Sequence, residues 1–137
     1  VLNCSLAGAI CVSVNVGELG EQKTSGIVNW TDSALTHKVT RCSRSIASKA
    51  GALMWASCVD YIENKGSDLE APDVLTTPAG GRFDKSVVAI LHVVEPQLVG
   101  EDESSSATPL VEVYANCLRF ANERLGLDSL SFPLIGE

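Results

Sequence analysis

The stretch of residues 24–51 carries the clearest pattern of apolar and polar positions in the chain. A short apolar run at residues 26–28 ends in Asn29 and is followed by a polar turn. Apolar residues then recur every three or four positions, which predicts an amphipathic helix capped by Asp32 or Ser33. A strand, a turn and a helix in this order direct loop amides and a helix N-terminus at a ligand, so the pattern favours an anion site.

The same reading predicts elements along the rest of the chain. Strands are predicted from Ile10 to Val16 and at residues 73–76, 86–94 and 127–132. A second helix begins at Ala52, and an acidic loop follows at residues 97–107. A third helix is predicted with Thr108 as its N-cap and Pro109 at its first position. Helices alternate with strands. This order predicts an α/β domain with a mixed, mostly parallel central sheet and helices on both faces.

Composition narrows the classes of function. The 137 residues suit one domain, and a net charge of −7 argues against nucleic acid or an anionic membrane as the partner. No apolar run is long enough to cross a bilayer, and the first residues lack the basic region of a signal peptide. Five cysteines without a CxxC pair predict free thiols in a reducing compartment, so we expect an intracellular protein, cytoplasmic or nuclear. Only two histidines are present, and no metal site is predicted.

Four blocks, in order along the chain, resemble the macro domain, the ADP-ribose-binding module. They are Val16-Gly17-Glu18-Leu19, the run from Ile27 to Asp32 (IVNWTD), the run from Ala89 to Pro96 (AILHVVEP), and the region from Tyr114 to Gly136, which contains NCLRFANERLGLDSLSFPLIG. Taken together, the four blocks are most similar to divergent macro domains of poly-ADP-ribose-polymerase-like proteins. The resemblance implies one three-layer α/β/α domain over residues 1–137. It also implies that the family's last helix and strand are missing, which would leave a sheet edge open to pairing and makes self-association an expectation.

The resemblance also implies a set of ligand-binding residues. Those that match the family's ADP-ribose-binding positions are Glu18, Leu19, Asn29, Asp32, Ile135 and Gly136. Glu18 matches the family's adenine-binding Asp, and Asp32 matches an Asn that contacts the distal ribose. Other roles are open for three of them: Glu18 as a solvated residue at a strand end, Asn29 as a partner of neighbouring turns, and Asp32 as a helix cap.

One departure from the family bears directly on function. The glycine run that wraps the diphosphate in the family falls here on Lys38, Val39, Thr40 and Arg41, which include no glycine. Residues 33–59 hold four basic side chains and no acidic one. Either they form a basic helix face that balances acidic segments elsewhere, or Lys38 and Arg41 bind the diphosphate by charge instead of backbone amides.

The function expected from the resemblance is a non-catalytic module that binds ADP-ribose or an ADP-ribosylated protein in weakened or altered form. The alternative is a degenerate macro domain that acts as a protein-interaction or scaffold unit, and an ADP-ribosyl hydrolase ranks last. Hydrolysis in the family depends on the glycine loop, so we predict no catalytic residue and no cofactor.

Overall fold

A computed structural model describes residues 2–6, 10–96 and 103–135. Its elements are β1 (Leu2–Leu6), β2 (Ile10–Val14), β3 (Gly26–Trp30), α1 (Arg41–Lys49), α2 (Ala52–Lys65), β4 (Leu75–Pro78), β5 (Ala89–Val93), α3 (Glu103–Arg119) and β6 (Leu130–Ser131), with a 3₁₀ turn at Leu19–Glu21 and a π-helical turn at Phe120–Arg124.

The central sheet has four strands in the order β4, β5, β3, β6. β3 runs parallel to both β5 and β6, and only β4 is antiparallel to its neighbour. The two inner strands are buried along nearly their whole length, as expected for parallel strands covered on both faces. This mixed, mostly parallel sheet confirms the predicted architecture.

Alternate residues of the two inner strands face opposite helical layers. Val28 and Leu91 pack with Val113 and Cys117 of α3. On the other face, Ile27 and its neighbours pack with Ile46 of α1 and with α2. Helices therefore cover both faces of the sheet in three layers. Among the described residues, no helix is both long and apolar enough to cross a membrane.

The predicted start of the first helix is wrong. α1 begins at Arg41, with Thr40 as its N-cap, and not at Asp32 or Ser33. Thr40 and Ser43 form a capping box, in which each side chain satisfies the other's free backbone N–H. Residues 31–40 form a loop instead. Val39, which fits the apolar helical spacing, is 69% exposed.

The predicted start of the third helix is also wrong. α3 begins at Glu103, so Pro109 lies inside it and Thr108 is not its cap. Residues 103–107 are therefore helical and not part of a loop, whereas residues 97–102 of the predicted acidic loop lie outside the described residues.

The predicted first strand exists but lies outside the central sheet. β2 pairs with β1 in a separate two-stranded antiparallel sheet, and all five of its residues are exposed. The remaining predicted strands are present with shifted bounds: β4 covers Leu75–Pro78, β5 covers Ala89–Val93 and β6 only Leu130–Ser131.

Candidate functional site

A cleft of about 830 Å³ opens where β3 and β5 end. Trp30 and Thr31, at the end of β3, and Val94, directly after β5, line one side of it, and Pro109 of α3 lies on the other side. Ligands of open α/β sheets bind in the crevice at the carboxyl ends of parallel strands. The volume falls within the usual range of small-molecule sites.

The lining of this cleft is acidic. Five carboxylates contribute to it: Asp32, Asp68, Glu70, Glu95 and Glu112. In the described part of the chain, no lysine or arginine lines the same cleft. The site therefore disfavours a strongly anionic ligand unless that ligand is bound by backbone N–H groups.

The loop at residues 31–40 shapes one wall of the cleft around the Asp32 carboxylate. Its oxygens accept hydrogen bonds from the Thr36 N–H and hydroxyl, at 3.0 and 2.9 Å, and from the His37 N–H at 3.0 Å. Burial opposes ionisation of Asp32, but these bonds outweigh it and lower the pKa of the carboxyl. Asp32 therefore caps a turn within the loop and not the helix α1, which begins only at Arg41.

The loop is held in an unusual backbone conformation. Leu35 and His37 have φ angles of 57° and 59°, which non-glycine residues rarely adopt. Both side chains are buried, so their packing fixes the conformation. Thr40 closes the loop by donating from its hydroxyl to the Trp30 carbonyl at 2.6 Å.

Glu18 and Arg41 contact each other and not the cleft. The Arg41 Nη2 atom lies 2.7 Å from Glu18 Oε1, with 85% of the Arg41 side chain and 49% of the Glu18 side chain exposed. The hydrogen bond and the charge of Arg41 lower the pKa of Glu18, and the pKa of Arg41 is raised in turn. Neither residue lines the cleft.

The other predicted ligand positions are spread over several environments. Lys38 is exposed beside the cleft, and its carbonyl accepts from Arg44 at 3.1 Å. Leu19 is half-buried and packs against the core beneath α1. Ile135 is buried against the core on the α3 face, and its N–H donates to the Tyr114 hydroxyl at 3.2 Å. Gly136 lies outside the described residues. Of the seven predicted positions that the structure describes, only Asp32 lies in the lining of the cleft.

Asn29 lies at the centre of a buried polar cluster that the sequence did not predict. Its side-chain amide lies 3.1 Å from His37 Nδ1 and 2.9 Å from His92 Nδ1. On the far side of both rings, the Cys58 Sγ atom lies 3.5 Å from His37 Nε2 and 3.9 Å from His92 Nε2. Thr77 Oγ1 completes the cluster at 2.8 Å from His92 Nε2. Asn29 and His92 are paired residues on the neighbouring parallel strands β3 and β5, a pairing that only the structure shows.

Burial determines the protonation of this cluster. It lowers the pKa of His37, and burial together with the nearby His37 lowers the pKa of His92 to about 3. Burial also raises the pKa of the Cys58 thiol to about 11. At neutral pH the cluster therefore holds neutral imidazoles and a thiol. A catalytic cysteine needs a thiolate, and this environment opposes one.

A family model of the Macro domain matches residues 28–137. A search of curated proteins found no match. The family match covers the last three residues of β3, the loop at residues 31–40, β5, and the helices α1, α2 and α3.

Solved macrodomain structures share the fold. The chain is similar to the Oceanobacillus iheyensis macrodomain with ADP, with 23% identity, a TM-score of 0.81, and coverage of 98% of this chain and 68% of that one. A glycine-to-valine mutant of the same macrodomain with ADPR gives 23% identity, a TM-score of 0.80, and coverage of 98% and 69%. The macro domain of ganglioside-induced differentiation-associated protein 2 gives 22% identity, a TM-score of 0.65, and coverage of 85% and 53%. The chain thus spans about two thirds of the length of the Oceanobacillus proteins, or about half of the last.

Proposed function

We propose that this chain, which belongs to the macro domain family, is a non-catalytic module that binds ADP-ribose or an ADP-ribosylated protein through an altered form of the family's site. The observation that carries the proposal is the cleft at the carboxyl ends of β3 and β5. A macrodomain of the same fold was solved with ADPR, the chemical class of ligand proposed here.

In this proposal, backbone N–H groups of the loop at residues 31–40 bind the anionic part of the ligand. Val39 and Thr40 line the cleft at the positions of the family's glycine run, directly before the N-terminus of α1. The free N–H groups of a helix N-terminus attract phosphate. However, the Ser43 N–H already donates to the Thr40 hydroxyl at 2.9 Å, so fewer N–H groups are available.

The acidic lining predicts weak binding. Five acidic residues line the cleft, and their negative charge repels the negatively charged diphosphate of ADP-ribose. The basic residues of the segment lie just outside, with Arg41 paired to Glu18. Arg41 must therefore separate from Glu18 before it can bind the diphosphate together with Lys38, as predicted.

We assign no hydrolase activity to the cleft. In the described residues, the two histidines are buried in the polar cluster behind the loop, and neither lines the cleft. Incubation with a mono-ADP-ribosylated protein tests this assignment, because clear release of ADP-ribose would contradict it.

Calorimetric titration with ADP-ribose tests the binding proposal. We expect saturable binding that shifts thermal unfolding upward, since a ligand selective for the folded state stabilises it. The variant Glu70→Lys is expected to strengthen binding, because it replaces an acidic group of the lining with a basic one. An absence of saturable binding by the wild-type protein and by this variant would overturn the proposal.

The acidity of the cleft favours a second candidate function, a protein-interaction unit that takes a basic segment of a partner. A peptide rich in lysine and arginine complements five carboxylates, whereas ADP-ribose does not. Titration with an oligo-lysine peptide separates the two candidates. Binding of the peptide that weakens in Glu70→Lys, together with no response to ADP-ribose, would support this second function.

A further inference from the structure

The buried cluster of His37, Cys58 and His92 brings three metal-ligating side chains to one point. The residues come from the loop at 31–40, from α2 and from β5, and their ligand atoms all lie within 4.8 Å of one another. All three are buried: His92 is 0% exposed, His37 1% and Cys58 2%.

The two separations between sulfur and nitrogen suit a tetrahedral ion. Zinc lies about 2.0–2.1 Å from imidazole nitrogen and about 2.3 Å from thiolate sulfur, so tetrahedral geometry places nitrogen and sulfur roughly 3.6 Å apart. The Cys58 Sγ atom lies 3.5 Å from His37 Nε2 and 3.9 Å from His92 Nε2. Both separations are close to that value.

We propose that His37, Cys58 and His92 form a zinc site, in which both Nε2 atoms bind the ion and the Cys58 thiol releases its proton on coordination and binds as the thiolate. Imidazole together with thiolate is the donor set that zinc prefers among divalent ions. The Thr77 hydroxyl, 2.8 Å from His92 Nε2, provides a further oxygen at the cluster. The proposal does not depend on the binding of ADP-ribose.

Asn29 supplies the outer support that metal-bound histidines need. A histidine that binds a metal through Nε2 donates its Nδ1–H to an oxygen, which fixes the ring. The Asn29 side-chain amide faces both Nδ1 atoms, at 3.1 and 2.9 Å. Because the oxygen and nitrogen of an amide occupy interchangeable positions, Asn29 Oδ1 accepts from both rings when zinc is bound. In the metal-free form the Asn29 NH₂ group donates to both instead.

The cluster is also reachable from the surface of the molecule. A shallow pocket of about 200 Å³ reaches Cys58 from the surface between the loop and α2, with Glu63 among its lining residues. This pocket provides an access route that ends at the thiol.

Bound zinc would join the loop to the helical layer and the sheet. His37 is held at a φ angle of 59° and its N–H donates to Asp32, so a bond at its Nε2 atom would fix the wall of the cleft. The site is therefore structural in character, since its three ligand residues are buried and none of them lines the cleft.

The experiment uses the full chain, treated with a chelator under reducing conditions and then titrated with Zn²⁺ in a calorimeter. We expect one equivalent to bind and the midpoint of thermal unfolding to rise. Cys58→Ala should weaken zinc affinity at least tenfold. Cys117→Ala is the matched control, because Cys117 is also a buried helical cysteine but lies on the α3 face of the sheet. Equal zinc affinity of the two variants would overturn the proposal.

Titration of the wild-type protein with Co²⁺ keeps the proposal testable if Cys58→Ala does not fold. Cobalt bound to a thiolate gives a charge-transfer band in the near ultraviolet, and tetrahedral cobalt absorbs strongly in the visible. Both features should appear at one equivalent and be lost in His37→Asn, a variant chosen because Asn tolerates a positive φ angle. Their absence from the wild-type spectrum, or their persistence in His37→Asn, would overturn the proposal.

Discussion

Glu18 and Arg41 form an exposed ion pair of 2.7 Å between two positions that the resemblance assigns to different parts of one ligand, the adenine and the diphosphate. Glu18 matches the family's adenine-binding residue, and Arg41 stands in the replaced glycine run. The two contacting atoms, Arg41 Nη2 and Glu18 Oε1, must separate before they can bind ADP-ribose. Whether the chain binds the nucleotide therefore depends in part on the cost of separating two exposed charges.

The variant Glu18→Gln tests this competition. We expect its affinity for ADP-ribose to rise about two- to fivefold, because exposed ion pairs are worth roughly 0.2–1 kcal/mol and Arg41 is released toward the diphosphate. Glu21→Gln is the matched control, since Glu21 forms a similar pair with Lys49 at 2.7 Å. Calorimetry measures both. A loss of affinity in Glu18→Gln alone would instead assign the Glu18 carboxylate to the ligand.

Removal of the Asp32 carboxylate should destabilise the loop. Asp32→Ala leaves the Thr36 and His37 N–H groups without their acceptor, and we expect a loss of about 1–2 kcal/mol in the free energy of unfolding. Urea denaturation measures it as a lower midpoint at unchanged slope. Asp68→Ala is the control, because Asp68 lines the same cleft but its carboxylate accepts, within the described part of the chain, a single long hydrogen bond from Ser33 at 3.3 Å. Equal losses in the two variants would contradict the role given to Asp32.

The central sheet was predicted well because its inner strands are buried, and buried parallel strands consist mainly of apolar residues. In the sequence, β3 and β5 therefore stand out as short, mainly apolar runs. The start of α1 was mispredicted for a physical reason. Asp32 is a capping residue, but the amides it caps belong to a loop turn at Thr36 and His37.

The polar cluster could not be predicted, because it depends on contacts that sequence spacing does not encode. Asn29 and His92 are 63 residues apart, and they meet only through the parallel pairing of β3 with β5. The left-handed backbone at His37, which turns that ring inward, is adopted without a glycine to signal it. A count of two histidines therefore gave no indication of a shared site.

The rate of alkylation at pH 8 should distinguish the exposed Cys11 from the buried Cys117. Burial raises the pKa of Cys117 to about 12, so its thiolate fraction at this pH is on the order of one in ten thousand. Cys11 is exposed on β2. We expect iodoacetamide to modify Cys11 within minutes and to leave Cys117 intact over the same period, as read by peptide mass spectrometry. Modification of Cys117 at a comparable rate would contradict its burial between α3 and the sheet.

Two adjacent glycines test how closely the junction between α1 and α2 packs against the turn that contains them. Gly80 and Gly81 both have left-handed backbones, with φ angles of 57° and 56°. A methyl group on Gly80 would meet nothing within 4 Å, whereas one on Gly81 would stand 2.5 Å from the Gly51 nitrogen and overlap the Lys49 carbonyl. Gly80→Ala should therefore cost only the backbone strain, about 1–2 kcal/mol.

Gly81→Ala should cost at least about 1 kcal/mol more than Gly80→Ala, because backbone atoms at the junction of the two helices must move as well. Urea denaturation of the two variants measures the difference directly, since both carry the same chemical change and nearly the same strain. If they lose equal stability, the junction between α1 and α2 does not pack against this turn as closely as the structure shows.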